Sequence, residues 1–198
     1  PKTPTRVAGS EVPLATKLRG IPAVEAGLLP WTLGSPLSRE VVLPGRGSTL
    51  TIAGGIDTAG NSLSRVFSLD TATGATSDLG VMATATHDAA GVRVRGQDLV
   101  LGGGSPTTVA GVEAIPFAGG AGPAKGTTIG QLPQPRSDAS AITVGSTAYV
   151  VGGYDGTKPD AQVLATTDGQ HFSAVANLPV AVRYPAVVAM DKKIYVFG

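Results

Sequence analysis

One pattern recurs along this chain and limits what it can fold into: two short apolar stretches around a polar turn, closed by glycine. At residues 137–156 it reads SDASAITVGSTAYVVGGYDG. Alternating and β-branched apolar residues favour strands, and Gly145-Ser146 between them favours a tight hairpin turn. The pattern appears as REVVLPGRGSTLTIAGGID from Arg39, THDAAGVRVRGQDLVLGGGS from Thr86, RSDASAITVGSTAYVVGGYD from Arg136 and RYPAVVAMDKKIYVFG from Arg183. The first glycines of the closing clusters, Gly54, Gly102, Gly152 and Gly198, stand 48, 50 and 46 residues apart. Glycine weakens a strand interior unless backbones crowd there. Gly54-Gly55, Gly102-Gly103, Gly152-Gly153 and Gly198 are therefore expected to be structural, ending the second strand where neighbouring backbones approach too closely for a Cβ. Replacing Gly152 or Gly153 by Val is expected to destabilise by more than the ~1 kcal/mol of propensity alone.

A second half recurs between the hairpins. In the first repeat SRVFSLDTATGATSDLGVM turns at Asp70 to Gly74, and in the third AQVLATTDGQHFSAVANLP turns at Asp168-Gly169. The second repeat has VEAIPF, a loose Gly-rich loop, and GTTIGQLP. Each unit reads as four short strands, with no helix-period segment of consequence. A four-stranded unit of about 50 residues that buries both faces against its neighbours is a propeller blade. The expected units are residues 38–85, 86–135, 136–182 and a partial 183–198, within a repeat region 31–198. Residues 1–30 form a lead-in with a possible outer strand, and Trp31 of WTLGSPLSRE is expected in an outer-strand position.

The order of Arg, small and apolar strand, turn, aromatic or aliphatic strand, Gly-Gly, variable loop and two outer strands resembles the kelch repeat across residues 31–198. Family repeats carry a Tyr on the third strand and a Trp on the fourth. Phe67 and Phe172 stand at those places in the first and third repeats, and the second has neither, so the likeness is to a divergent, bacterial kelch-like group. The fold class this resemblance implies is all-β, a kelch-type β-propeller. Family members commonly have six or seven blades. The sequence stops inside a motif, at Tyr195-Val196-Phe197-Gly198, so the expectation is about four blades' worth of a larger propeller. The alternative is a four-bladed ring, closed by pairing N-terminal outer strands with the last hairpin.

Composition excludes several roles. The net charge of +1 removes the global electrostatic case for nucleic acid. No apolar run approaches the ~18 residues of a membrane helix, so no transmembrane segment is expected in this chain. The chain has no cysteine, which excludes disulfides and thiolate metal sites and inclines the expected setting towards secreted or cell-surface. Oligomeric state is left open by the sequence.

The search for catalytic chemistry returns little. There is no G-x-S-x-G elbow, and His87 and His171, the two imidazoles, lie at a repeat junction and in an outer turn. No His, Cys or carboxylate cluster has zinc-ligand spacing, and GGAGPAKGTT fails the G-K-[ST] requirement of a phosphate loop. No cofactor or metal is expected. Galactose oxidase shares a kelch-like propeller but needs a cysteine cross-linked to tyrosine, which this chain lacks. TTDGQHF, residues 166–172, resembles a shortened Asp-box, in which Asp168 would cap a turn as a fold element. YDGTKPD lacks the dense oxygen-ligand spacing of a calcium loop and reads as a surface turn.

A binding face is the stronger candidate. The kelch resemblance implies that the loops before the first strand and after Gly-Gly share one face around the channel mouth. It assigns Arg39, His87, Arg136, Arg183 and Tyr184 to the strand entrances, and Asp57, Ser105, Tyr154 and Asp155 to the post-glycine loops. Three guanidiniums facing one depression suit a carboxylate or acidic sugar, and tyrosines suit stacking on a sugar ring or peptide. Alternatively the arginines pair with Glu40, Asp88 or Asp138 and fix the repeat junctions. The expected function is a non-catalytic interaction module for a protein segment or glycan. The alternatives are a sugar-modifying enzyme of the sialic-acid mutarotase type and a purely structural cell-surface scaffold.

Overall fold

Short runs of alternating apolar residues, punctuated by Gly, Asp and Pro, produce strands from Val41 to Phe197. The computed structural model describes residues 28–117 and 122–198, and among these there are fifteen strands and no helix. The protein is all-β. The strands belong to the unit Trp31–Gly198; of the separate unit Pro1–Pro30 only residues 28–30 are described, so the possible outer strand there falls largely outside the described residues.

The first sheet runs β1 (Val41–Pro44), β2 (Thr49–Ala53), β3 (Arg65–Asp70) and β4 (Thr76–Val81), each antiparallel to the next. The second contains β5 (Ala90–Val94), β6 (Gln97–Leu101), β7 (Gly111–Ala114) and, beyond a two-residue strand β8 (Ala124–Lys125), β9 (Thr127–Gln131). The third runs β10 (Ser140–Val144), β11 (Thr147–Val151), β12 (Gln162–Thr166) and β13 (Ser173–Asn177), and the fourth pairs β14 (Ala186–Met190) with β15 (Lys193–Phe197). All four hairpins expected from sequence are present. Three of them close with two-residue turns whose left-handed residues match the strand twist: Arg95-Gly96, Gly145-Ser146 and Asp191-Lys192. In each four-stranded unit the pairing of the third and fourth strands shifts register, opposite Val66/Phe67, Val112/Glu113 and Val163/Leu164, with the extra residue on the fourth strand.

Two local expectations are corrected. The Gly-rich segment of the second repeat is not simply a loose loop, because β8 crosses to the first sheet and pairs in parallel with β4, Gly80 opposite Ala124. Gly80 is required there, since a Cβ would stand 1.8 Å from the Ala124 carbonyl oxygen. Trp31 lies outside any strand. Its indole Nε1–H donates to the Thr71 carbonyl (3.1 Å), and its side chain covers Gly74 in the β3–β4 turn.

The cores follow from strand alternation. On β6, Leu99 and Leu101 enter a core shared with Ala148, Val150 and Leu164 of the third sheet, while Val100 faces Val41, Leu43 and Val66 of the first. The second sheet is therefore buried on both faces, and each fully buried Leu or Val contributes roughly 1.5–3 kcal/mol. The outer face of the first sheet carries a third cluster, Ile52, Phe67 and Leu69, packed by Trp31, Leu33 and Leu37. The first strands are neighbours in chain order: β1 against β5, β5 against β10, and β10 against β14.

The glycine pairs join the sheets. The second glycine's N–H donates to a carbonyl of the next repeat: Gly55 to Thr86 (2.9 Å), Gly103 to Arg136 (2.8 Å) and Gly153 to Val182 (2.8 Å). Both members of each pair have positive φ, and a Cβ on Gly102 would lie 2.0 Å from the Arg136 carbonyl oxygen. Gly198 differs, because a Cβ there would meet Val182 at an ordinary 3.5 Å. Gly102→Ala is expected to destabilise by about 3 kcal/mol or more, combining left-handed strain with a backbone clash. Gly145 has a similar φ but nothing within 4 Å of its Cβ position, so Gly145→Ala is expected to lose only about 1 kcal/mol. Denaturant unfolding of the two variants checks this; equal losses would mean that the inter-repeat contact adds nothing.

Candidate functional site

Two residues precede each first strand: Arg39-Glu40, Asp88-Ala89, Asp138-Ala139 and Tyr184-Pro185. The leading residue of each pair is left-handed, with φ of 58°, 53°, 58° and 52°. Four non-glycine residues in this region at one repeat position mark a constraint that overrides side-chain preference. The constraint is visible in the backbone: Asp88 N–H donates to Arg39 O (3.0 Å), Asp138 N–H to Asp88 O (2.8 Å) and Tyr184 N–H to Asp138 O (2.8 Å). This second ladder brings the four strand entrances around a cavity of about 270 Å³. A neighbouring cavity of about 410 Å³ is lined by the first strands themselves.

Charge is concentrated at this mouth. Arg39 Nη1 donates to Asp88 Oδ2 at 3.0 Å, and Arg183 Nε donates to Asp138 Oδ2 at 2.5 Å. Both carboxylates are buried, whereas the Arg39 and Arg183 side chains keep 53% and 43% exposure. The Asp138 carboxylate holds the Arg183 guanidinium above its ordinary pKa, so it stays charged. That guanidinium lies 4.3 Å from the ring centre of Tyr154 and 5.5 Å from that of Tyr184, giving a cation–aromatic stack at the rim. His87 sits beside the first pair, its Nε2 3.8 Å from Asp88 Oδ2 and its Nδ1 2.8 Å from Ser62 Oγ.

Arg136 departs from the expected face. It is 1% exposed, and its Nη2 pairs with Asp160 Oδ2 at 2.5 Å while Nη1 donates to the carbonyls of Gly152 and Gln162. Its Nε has no partner, and burial lowers its pKa against the attraction of Asp160. Arg136 is thus a buried strut, not a residue offered to a ligand at this surface. The three arginines do not occupy one repeat position: relative to the first strand, Arg136 is four residues ahead, Arg183 three and Arg39 two. The alternative, arginines fixing repeat junctions, holds for the Arg39–Asp88 and Arg183–Asp138 pairs.

The post-glycine loops are held by their own carboxylates. Asp57 Oδ1 accepts from the amides of Ala59 and Asn61, and Asp155 Oδ1 from Thr157 and Lys158, both at 2.8–2.9 Å. Those bonds place both carboxyls below the usual pKa. Ser105 donates its backbone N–H to Thr107 O within its loop. Asp168 does what the Asp-box likeness implies: Oδ1 accepts from the amides of Gln170 and His171, and Oδ2 lies 2.8 Å from His171 Nδ1. The amide and ring of His171 depress its pKa well below the ordinary value.

Sequence reasoning missed Asp88 and Asp138 as parts of the mouth, naming them only as partners for arginine. Their one signal is a constant offset of two residues before the first strand, which is invisible until strand starts are known. Among the described residues no three His, Cys, Asp or Glu side chains are arranged to hold a metal, and no helix is long and apolar enough to cross a membrane. No protein-family model and no curated protein matches the chain.

Removing Arg136 leaves Asp160 without its counter-charge, so Arg136→Ala is expected to lose about 3–5 kcal/mol. Arg39→Ala, at a half-exposed pair, is expected to change stability by no more than about 1 kcal/mol. Chemical denaturation distinguishes these outcomes. A second expectation concerns acid. A carboxyl whose folded pKa is depressed contributes its stabilisation fully above the unfolded value of 3.8 and loses it as pH falls through the folded pKa. Melting temperature should therefore fall as pH drops below about 4. Asp168→Asn should flatten that acid arm, and an unchanged slope would mean that the turn does not contribute.

Proposed function

We propose that the chain is a kelch-type β-propeller module and that it acts without catalysis, holding a protein segment or glycan at the mouth formed by the strand entrances. The fold reading draws support from the repeated hairpins, from first strands lying side by side in chain order, and from glycine pairs bonded to the next repeat. For the function, the carrying observation is the rim stack of Tyr154, Arg183 and Tyr184 beside the cavity, with Tyr184 56% exposed. An exposed aromatic face next to partly free guanidinium donors suits a sugar ring or a peptide with an acidic group. The buried carboxylates keep the two arginines in place and leave the outward donors available.

A second reading, a sugar-modifying enzyme of the mutarotase type, is favoured by the convergence of Arg39, Asp88 and His87 at one side of the mouth. Ring opening needs acid and base groups at one sugar, and an imidazole beside a carboxylate is such a pair. In this protein the Asp88 oxygen already serves Arg39, and His87 Nδ1 is engaged by Ser62, which weighs towards binding without chemistry.

Screening the chain against glycan and peptide arrays, followed by titration of any hit, tests the proposal. Tyr184→Ala combined with Arg39→Ala is expected to weaken the hit about tenfold or more while the melting temperature holds. An undiminished affinity in the double variant moves the ligand away from the mouth. Anomer exchange of a reducing sugar, accelerated by wild type and lost in His87→Ala, would instead establish the enzymatic reading.

A further inference from the structure

Away from the mouth, the outer face of the first sheet holds a cavity of about 250 Å³ that the function above does not use. It lies between the segment Leu33–Leu37 and the face of β3 and β4 that carries Arg65, Phe67 and Thr76. Strand alternation puts Arg65 and Phe67 on the same side of β3. The walls supplied by Leu33, Leu37, Leu63 and Phe67 are apolar, and the polar groups at hand are the hydroxyls of Ser35 and Thr76.

Arg65 sets the chemistry. It is exposed, and it forms no ion pair among the described residues, in contrast to Arg39, Arg93, Arg136 and Arg183, each of which faces an aspartate. Its guanidinium lies 4.6 Å from the centre of the Phe67 ring, and both residues line the cavity. The nearest cross-strand carboxylate, Asp78 opposite Phe67, uses Oδ1 to accept the Gly80 N–H. A planar donor fork held on an aromatic ring, above an apolar cavity of this size, matches one ligand type: a flat apolar body ending in a carboxylate.

We propose that this cavity binds a small aromatic carboxylate, with the carboxylate on Arg65 and the apolar body against Leu33, Leu37 and Phe67. The body would contact the same side chains that pack the outer cluster of the first sheet.

Trp31, the one tryptophan, belongs to that cluster, and its indole N–H provides a single, assignable reporter. The experiment titrates the full chain with phenylacetate and, separately, with the neutral isostere 2-phenylethanol, following the Trp31 indole and Gly54 amide resonances. Phenylacetate is expected to saturate with Kd near or below about 1 mM and to bind about tenfold more tightly than the alcohol. Arg65→Met should remove that preference while retaining the wild-type melting temperature, and Arg65→Lys should restore part of it. No perturbation by ~10 mM phenylacetate overturns the proposal, as does equal affinity for the acid and the alcohol. The wild-type comparison needs no variant, so the test stands even if Arg65→Met is unstable.

Discussion

A strand that ends inside a close-packed array presents an N–H that its own sheet no longer answers, and here the neighbouring repeat answers it. Gly55, Gly103 and Gly153 each donate to the carbonyl four residues ahead of the next first strand. A buried N–H left unpaired would cost about 1–3 kcal/mol, so this bond is an accounting requirement of the fold. Forming it brings two backbones within the space of a Cβ, which is why the donors and the residues before them are glycines in left-handed conformation. The side-chain cores between sheets then form where that bond has fixed the spacing. Leu99 and Leu101 meet Val150 and Leu164 across one such junction, and Val100 meets Val66 across the other.

The second ladder, from Arg39 through Asp88 and Asp138 to Tyr184, depends on the first. Asp88, Asp138 and Tyr184 lie two residues after the carbonyls that the glycines hold, so fixing one position carries the next into reach. The left-handed conformation recurs although arginine, aspartate and tyrosine share no preference for it. Backbone geometry therefore defines the mouth and side chains decorate it. A row specified in this way tolerates different residue types at equivalent places, and chemical variety among repeats is what a binding surface needs.

That division explains what was legible in the sequence. The four hairpins were readable because alternation, two-residue turns and terminal glycines act over a few neighbouring residues, within reach of local reasoning. The outer strands around Asp70 and Asp168 were readable for the same reason. β8 was not, because an Ala-Lys pair has no pattern and its pairing with Gly80 is entirely long-range. The three arginines looked equivalent in a linear alignment, yet offsets of four, three and two residues send Arg136 into the interior, Arg183 onto the rim tyrosines and Arg39 to Asp88. Arg39 holds the left-handed position itself, Arg183 the residue before it, and Arg136 the residue whose carbonyl Gly103 holds, so each inherits a different backbone environment that no local signal records. Arg65 was missed because its significance lies in the partner it lacks.

The two surfaces differ in how binding would feed back on the fold. At the mouth, ligand contacts would fall on residues whose backbone amides and carbonyls link one repeat to the next, so occupancy and inter-repeat stability are thermodynamically linked. Arg183 and Asp138 belong to adjacent repeats, as do Arg39 and Asp88, and a ligand bridging either pair would strengthen a junction directly. The cavity beneath Arg65 meets such a link only at its edge, where the Leu63 carbonyl accepts the Thr86 N–H. Its walls come from the first sheet and the segment covering it, and none of its lining residues lies in the second, third or fourth sheet. Stabilisation by a ligand there would spread through that one bond and through the core that Val66 and Met82 share with Val100 and Ile115. In an array stabilised by nearest-neighbour contacts, a ligand at the mouth should raise the cooperativity of unfolding, whereas one at the flank should protect mainly the first repeat.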